Sequence, residues 1–199
     1  MRYFVITVTL SAFFLGSSLS VSAQDTNQPT TGQRKPKHKT KVDLRYDSKK
    51  DITTVRLDYM KLWENPIRFE QVDISFSFDY PKRTIVTPKT VLVIVHSAMQ
   101  GGPLFDYKRD LVVIADGSRL SLGEMEGGDK RGGSLTPRKG EMSFERLKLA
   151  IPYEDFAVIA KAKNVTVQIG ERAYNLSDKQ MQSLSDFLEL MQAEGQEFK

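Results

Sequence analysis

The sequence predicts a β-dominated α+β domain: an antiparallel sheet, strongly curved or two-layered, covered by two helices of which the longer is C-terminal. Three observations predict it. Apolar and polar residues alternate through most of the middle of the chain, the period of a half-buried strand. Val91 to Val95 is apolar at every position, which asks for cover on both faces and so for a second layer. Ser177-Asp-Lys-Gln180 is a capping box, and behind it Met181, Leu184, Leu188 and Met191, with Phe187 beside them, form one apolar stripe at helical period. A terminal helix that is apolar on one side must lie on something.

The chain opens with a segment built like a secretory signal. Arg2 supplies a positive start, Phe4 to Leu15 is an apolar run, and Val21-Ser22-Ala23 is a small-residue cleavage site. Thr7, Thr9, Ser11 and Gly16 interrupt the run, which falls short of the ~20 residues of a spanning helix. Residues 1–23 are therefore expected to be removed near Ala23, leaving an extracytoplasmic protein, periplasmic or secreted. No cysteine follows the site, so a thioether-linked lipid is excluded.

Residues 24–40 are polar, contain Pro29 and Pro36, and lack aromatic and branched apolar side chains. Such a segment cannot repay its ordering entropy and is expected to be a disordered basic linker. Over residues 24–41, Arg34, Lys35, Lys37, Lys39 and Lys41 face one acidic residue, Asp25, so this stretch carries the excess behind the formal charge of +4. It could make weak electrostatic contact with an anionic envelope, although a charge run of this size is more often simply solvated. With the basicity in the tail, the folded part gives no argument for nucleic-acid binding.

A single globular domain is expected over residues 41–195. Val42, Leu44 and Tyr46, then Val55, Leu57 and Tyr59, alternate with polar residues about Asp47-Ser-Lys-Lys-Asp51, which has turn composition. Asp43, Asp47, Asp51 and Asp58 are read as turn and edge-strand residues. A calcium loop would want a glycine among them for its tight turn, and there is none. Trp63-Glu-Asn-Pro66 breaks the pattern. Val72, Ile74, Phe76, Phe78 and Tyr80 then mark a long strand whose parity differs from that of Ile67 and Phe69, which predicts a bulge or break near Glu70 or Gln71. His96 closes the Val91 strand with its ring satisfied locally.

Further on, Asp116-Gly117 is a hairpin turn between Leu111–Ala115 and Leu120–Leu122. The glycine-rich stretch around Gly127–Lys139 is a loop. Phosphate-cradling loops lead into a helix, whereas here a strand, Met142 to Ile151, follows. Pro152 opens a helix with Glu154 and Asp155 in its first turn and Lys161 and Lys163 at its end, as the helix dipole favours. Asn164 is expected to stop it in the left-handed conformation. Val165, Val167 and Ile169 form a strand that turns at Gly170-Glu171 into Arg172–Leu176, and the capped helix ends the chain.

The whole chain has no cysteine, so the fold must be held by its core, without disulfides. It also has no H-E-x-x-H and no G-x-S-x-G, and one of its two histidines, His38, sits in the linker. The residues assign no catalytic group, metal ligand or cofactor site.

Three stretches together, Leu44-Arg-Tyr-Asp-Ser-Lys-Lys-Asp-Ile-Thr-Thr-Val55, Asp110-Leu-Val-Val-Ile-Ala-Asp-Gly-Ser-Arg-Leu-Ser-Leu-Gly123 and Asn175-Leu-Ser-Asp-Lys-Gln-Met-Gln-Ser-Leu-Ser-Asp-Phe187, resemble uncharacterised secreted or periplasmic proteins of bacteria. The resemblance implies a bacterial source, which makes the sequons at Asn164 and Asn175 incidental. It carries no activity and no site residues.

The reading is an exported, non-catalytic domain that binds a protein or glycan partner, with contacts on exposed loops: Trp63, Phe105, Tyr107, Arg131 and Arg138. The alternatives are a carboxylate-dependent hydrolase, or a carrier with a lipid or other apolar ligand between its layers.

Overall fold

In the computed structural model, residues 40–105, 107–127 and 142–193 are described. The expected signal segment, nearly all of the basic linker, Arg131 and Arg138 lie outside them.

Two antiparallel sheets and two helices make up the described chain. The larger sheet has the order β1 (Val42–Asp47), β2 (Ile52–Leu57), β4 (Glu70–Pro81), β5 (Thr90–Gln100), β9 (Met142–Pro152) and β8 (Glu126–Gly127), with β3 (Met60–Asn65) also paired to β4. The smaller runs β11 (Arg172–Asn175), β10 (Val165–Ile169), β6 (Asp110–Ala115) and β7 (Ser118–Glu124). Helices α1 (Tyr153–Lys161) and α2 (Asp178–Met191) complete it.

The long strand β4 organises the larger sheet. Val72, Ile74, Phe76, Phe78 and Tyr80 are all buried, as strict alternation requires. Strands β2 and β3 pair with the same edge of β4, one beyond the other, with a further register shift between Lys61 and Trp63. The break expected near Glu70 or Gln71 is the β3–β4 turn, after which β4 begins at Glu70; the register shift between Lys61 and Trp63 is a separate irregularity. Ile67 and Phe69 differ in parity because they belong to the hairpin turn, where Phe69 takes φ 55° and both side chains face solvent. Trp63 does not break the strand; β3 continues to Asn65, and Pro66 ends it.

Helix α2 covers the larger sheet as its stripe demands. Met181, Leu184, Phe187, Leu188 and Met191 are buried, and the Phe187 ring meets Phe78 at 5.4 Å and Phe156 of α1 at 6.0 Å. Each such ring or aliphatic chain contributes about 1.5–3 kcal/mol by leaving water. The capping box is in place: Gln180 Oε1 accepts from the Ser177 N–H at 2.7 Å. Gln180 Nε2 also donates to the Lys61 carbonyl at 2.8 Å, which fixes the start of the helix to β3.

Helix α1 buries Phe156, Ile159 and Ala160. Its stop differs from expectation. Asn164 is not left-handed; the chain leaves the helix at Ala162 in an extended conformation (φ −68°, ψ 155°). The freed N–H groups of Lys163 and Asn164 are taken by the Asp116 carboxylate, at 3.0 and 2.9 Å. A long-range acceptor thus fixes the chain just past the helix, where a local left-handed turn was expected.

Asp116 and Gly117 both take positive φ, 48° and 85°, as the two-residue turn requires. Gly170 has φ 56° at the first position of the β10–β11 turn. The two sheets and α1 meet at Ile74, Phe76, Val93, Val113, Val167 and Ile159, and the gap there is about 10 Å³. That is about the volume one water centre needs, so no lipid chain fits at this meeting of the layers.

Candidate functional site

Alternation sends Val72, Ile74, Phe76 and their cross-strand partners inward. The intervening residues therefore share the opposite, outer face of the larger sheet. The register sets them in rows: Asp43, Arg56, Ser77 and Leu92; Ser75, Ile94 and Lys148; Asp73, His96 and Arg146. Leu92 is half-buried while Ser75, Ser77 and Ile94 are buried on this face. The Val91 strand thus has cover on both sides, from the helices and second sheet inside and from longer neighbouring side chains outside.

A depression of about 650 Å³ opens on this face, lined by Arg45, Tyr46, Arg56, Ser77, Ile94 and Arg146 among others. A second, of about 420 Å³, adjoins it beneath the segment Val86–Thr90 and shares Ser77, Asp79 and Leu92 with it. Together they form one open trough across the strands.

The charges in the trough are unequally engaged. Asp43 Oδ2 accepts from Arg45 Nε at 2.8 Å and from Arg56 at 3.2 Å. Asp79 accepts from Thr54 Oγ at 2.6 Å. Asp73 accepts from Gln71 Nε2 at 3.0 Å, and burial, outweighing the neighbouring Lys61, holds its carboxyl above the usual range. Arg56 also lies 6.0 Å from the Tyr59 ring. The Arg146 Nε is buried and has no hydrogen-bond partner.

His96 lies beside these groups, and it is not a strand end, since β5 continues to Gln100. Its Nε2 shares a hydrogen bond with Tyr59 Oη at 3.0 Å, and the two rings meet edge-on at 4.7 Å. Burial, then the nearby Arg146 and Arg56 guanidiniums, push its pKa below the ordinary 6.5.

The proposed loop contacts fare unevenly. Tyr107 is 96% exposed. Trp63 is half-buried and packs against the core edge. Phe105 is not an exposed contact: it is 3% exposed, because Glu145 holds its backbone down. The Glu145 carboxylate accepts from Leu104 N–H at 2.6 Å, Phe105 N–H at 3.1 Å and Ser97 Oγ at 2.8 Å. Lys41, from the basic run, is exposed at the foot of β1, where its carbonyl accepts from Asp58 N–H.

The four aspartates of the first hairpin have separate structural partners. Asp47 accepts from Lys49 N–H, Asp51 from Tyr46 Oη and Asp58 from Tyr59 N–H, while Asp43 holds the two arginines. Among the described residues no cluster of three or more acidic or histidine side chains could hold a metal ion, and no helix is long and apolar enough to cross a membrane.

Sequence reasoning looked for sites on loops and missed this sheet face. The signal was present in the polar halves of the alternating strands: Arg146 and Lys148 in β9, Asp73, Ser75, Ser77 and Asp79 in β4. Comparison with protein-family models, with curated proteins and with solved structures finds no match to this chain.

Proposed function

We propose that the protein is an exported, non-catalytic domain that binds a protein or glycan partner in the cell envelope or outside the cell, and that the outer face of the larger sheet is its binding surface. Export rests on the N-terminal segment, with its basic start, apolar run and Val21-Ser22-Ala23 site. The trough carries the reading. It is open and rimmed by charged side chains, and its floor is buried at Ser77 and Ile94. A rigid sheet bearing convergent polar groups holds a ligand with little reorganisation.

The test is a blocking substitution. Thr54 is a half-buried residue that lines the trough and bonds Asp79 there, so Thr54→Trp fills the trough from a strand position whose side chain lies on the outer face, away from the core. The blocked and native proteins, matched for melting temperature, would be compared for retention on purified envelope. Retention that falls about tenfold or more in the blocked protein supports the reading. Equal retention overturns it.

A further inference from the structure

We infer that the free edge of β1 is a self-association surface, on which the β1 strands of two copies of this chain pair antiparallel about a two-fold axis at Leu44. The inference goes beyond the binding-surface reading above and does not depend on it.

Unmade backbone bonds come first. β1 is the last strand of the larger sheet, and among the described residues no strand pairs with its other side. In an antiparallel ladder, successive residues point their N–H and C=O groups alternately at the partner strand and away from it. The Lys41 carbonyl accepts from Asp58 N–H at 2.9 Å, so in the β1–β2 register Asp43, Arg45 and Asp47 also turn their backbones to β2. The backbone groups of Val42, Leu44 and Tyr46 point outward. Sheets protect such an edge with a proline, a bulge or a strand too short to pair. β1 has none of these: its six residues hold an unbroken register and include neither proline nor glycine. The other margins are blunter. β8 has two residues and β11 four, the β6–β7 pairing shifts register at Leu111, and the Lys61 carbonyl of β3 is taken by Gln180.

The side chains select a second copy as the occupant. Lys41, Asp43, Arg45 and Asp47 share the outer face and alternate in sign. Val42, Leu44 and Tyr46 share the inner face, across from the buried Leu57, Val55 and Thr53 of β2. A two-fold turn about Leu44 sets Arg45 against Asp43 of the second copy and Lys41 against its Asp47. On the inner face Val42 meets Tyr46 of the second copy, and Leu44 meets Leu44. Every outer pair then has opposite charges and every inner pair is apolar, both favourable across strands. A turn about Asp43 or Arg45 instead sets like charges opposite each other throughout. The Leu44 axis also lets the outward groups of Val42, Leu44 and Tyr46 bond one another, about six hydrogen bonds in all.

The groups are available for this. Arg45 reaches Asp43 of its own strand at 2.8 Å, but 73% of its side chain is exposed, and such surface pairs exchange partners at little cost. Lys41 occurs in none of the ion pairs among the described residues. Val42 and Leu44 are half-buried and Tyr46 is exposed, so all three have surface left to bury. Each copy has one such edge, and a two-fold contact uses it up, so association closes at the dimer.

The experiment is sedimentation equilibrium of the full chain, native and with Arg45→Glu or Arg119→Glu. Arg119 is exposed on β7 and supplies the same change of charge away from β1. The native chain should be dimeric at micromolar concentration. Arg45→Glu acts twice in the dimer and should raise the dissociation constant about tenfold or more, with an unchanged melting temperature in the monomer, while Arg119→Glu leaves it unaltered. Single cysteines read the register, because the chain has none of its own. In the dimer Leu44→Cys faces its own copy at about 5.5 Å between Cα atoms, within reach of a disulfide. Tyr46→Cys stands about 13 Å along the strand from its copy. Under mild oxidation Leu44→Cys should therefore cross-link the faster, although Tyr46 is the more exposed in one copy. A native chain that stays monomeric up to about millimolar concentration, where only contacts too weak to be specific remain, overturns the inference. So does a dimer indifferent to Arg45→Glu, equal weakening by Arg119→Glu, or cross-linking of Tyr46→Cys as fast as that of Leu44→Cys.

Discussion

Asp116 and Asn164, 48 positions apart, hold each other by their backbones and by one side chain. The Asp116 N–H donates to the Asn164 carbonyl at 2.9 Å, and the Asn164 N–H donates to Asp116 Oδ1 at 2.9 Å. A turn residue of β6–β7 thereby ends helix α1 and starts β10. The Asn164 and Lys163 N–H groups hold the Asp116 carboxyl below its ordinary range. The sign of the linkage follows. A depressed folded pKa gives stability that is present above the unfolded pKa and lost as pH falls through the folded value.

Two substitutions separate what Asp116 does. Asp116→Ala removes the acceptor and places a residue poorly suited to φ 48° in the turn. Asp116→Asn keeps an acceptor oxygen and tolerates that φ, but removes the charge. Thermal melts at neutral pH should order the proteins native, Asn, Ala. The Asn variant should also lose less stability than the native protein on acidification below pH 4. An Ala variant as stable as the native protein would deny the carboxylate its capping role.

Gly170 is held where no side chain fits. A Cβ there would lie 2.4 Å from the Lys108 carbonyl oxygen, a backbone atom that cannot swing away, and φ is 56°. Gly117 has φ 85° but open space around it. Gly117→Ala therefore costs the left-handed penalty of about 1–2 kcal/mol. Gly170→Ala adds an overpacking cost of about 1–3 kcal/mol. Denaturant titration of the two variants should show Gly170→Ala the less stable, and the difference measures the contact with Lys108.

How much of this could be read beforehand depended on the range of the interaction. The hairpin turns, the capping box at Ser177 and Gln180, and the alternation from Val72 to Tyr80 are local signals, and the structure keeps them. The stop of α1 was misplaced because its acceptor, Asp116, comes from a distant turn. Phe105 was taken for a surface residue because nothing near it announces that Glu145, 40 residues later, will bind its N–H. The sheet face was missed for a related reason. Arg56, His96 and Arg146 come from three strands, and only the register between those strands brings them to one side.

Glu145 offers a prediction about that loop. It is a buried carboxylate accepting from two loop N–H groups and one hydroxyl. Glu145→Gln keeps one acceptor oxygen and turns the other into a donor, which faces N–H groups. Leaving a buried donor unsatisfied costs about 1–3 kcal/mol. Amide exchange at Leu104 and Phe105 should accelerate in the variant, while exchange at Val93 and Val95 in the β5 core should change far less. Unchanged exchange at Leu104 would mean that the loop is held by something other than this carboxylate.

His96 predicts an acid sensitivity of its own. Burial and the Arg146 and Arg56 charges depress its folded pKa below 6.5. Between the folded and unfolded values the unfolded chain binds more protons, so stability falls as pH drops below about 6.5 until the folded pKa is passed. Below that point the loss is complete and constant. Asp73, raised by burial, titrates with the opposite sign, but it is present in both proteins being compared and its effect cancels. Urea titrations of native protein and His96→Gln at pH 7.5 and pH 5.0 should show the native protein losing more stability over that interval. The glutamine can still reach Tyr59 Oη, so the variant isolates the charge from the hydrogen bond. Equal losses would mean that the imidazole ionises as easily in the folded sheet as in the unfolded chain, and that the outer face is far more open to water than the burial of Ile94 and Ser75 beside it requires.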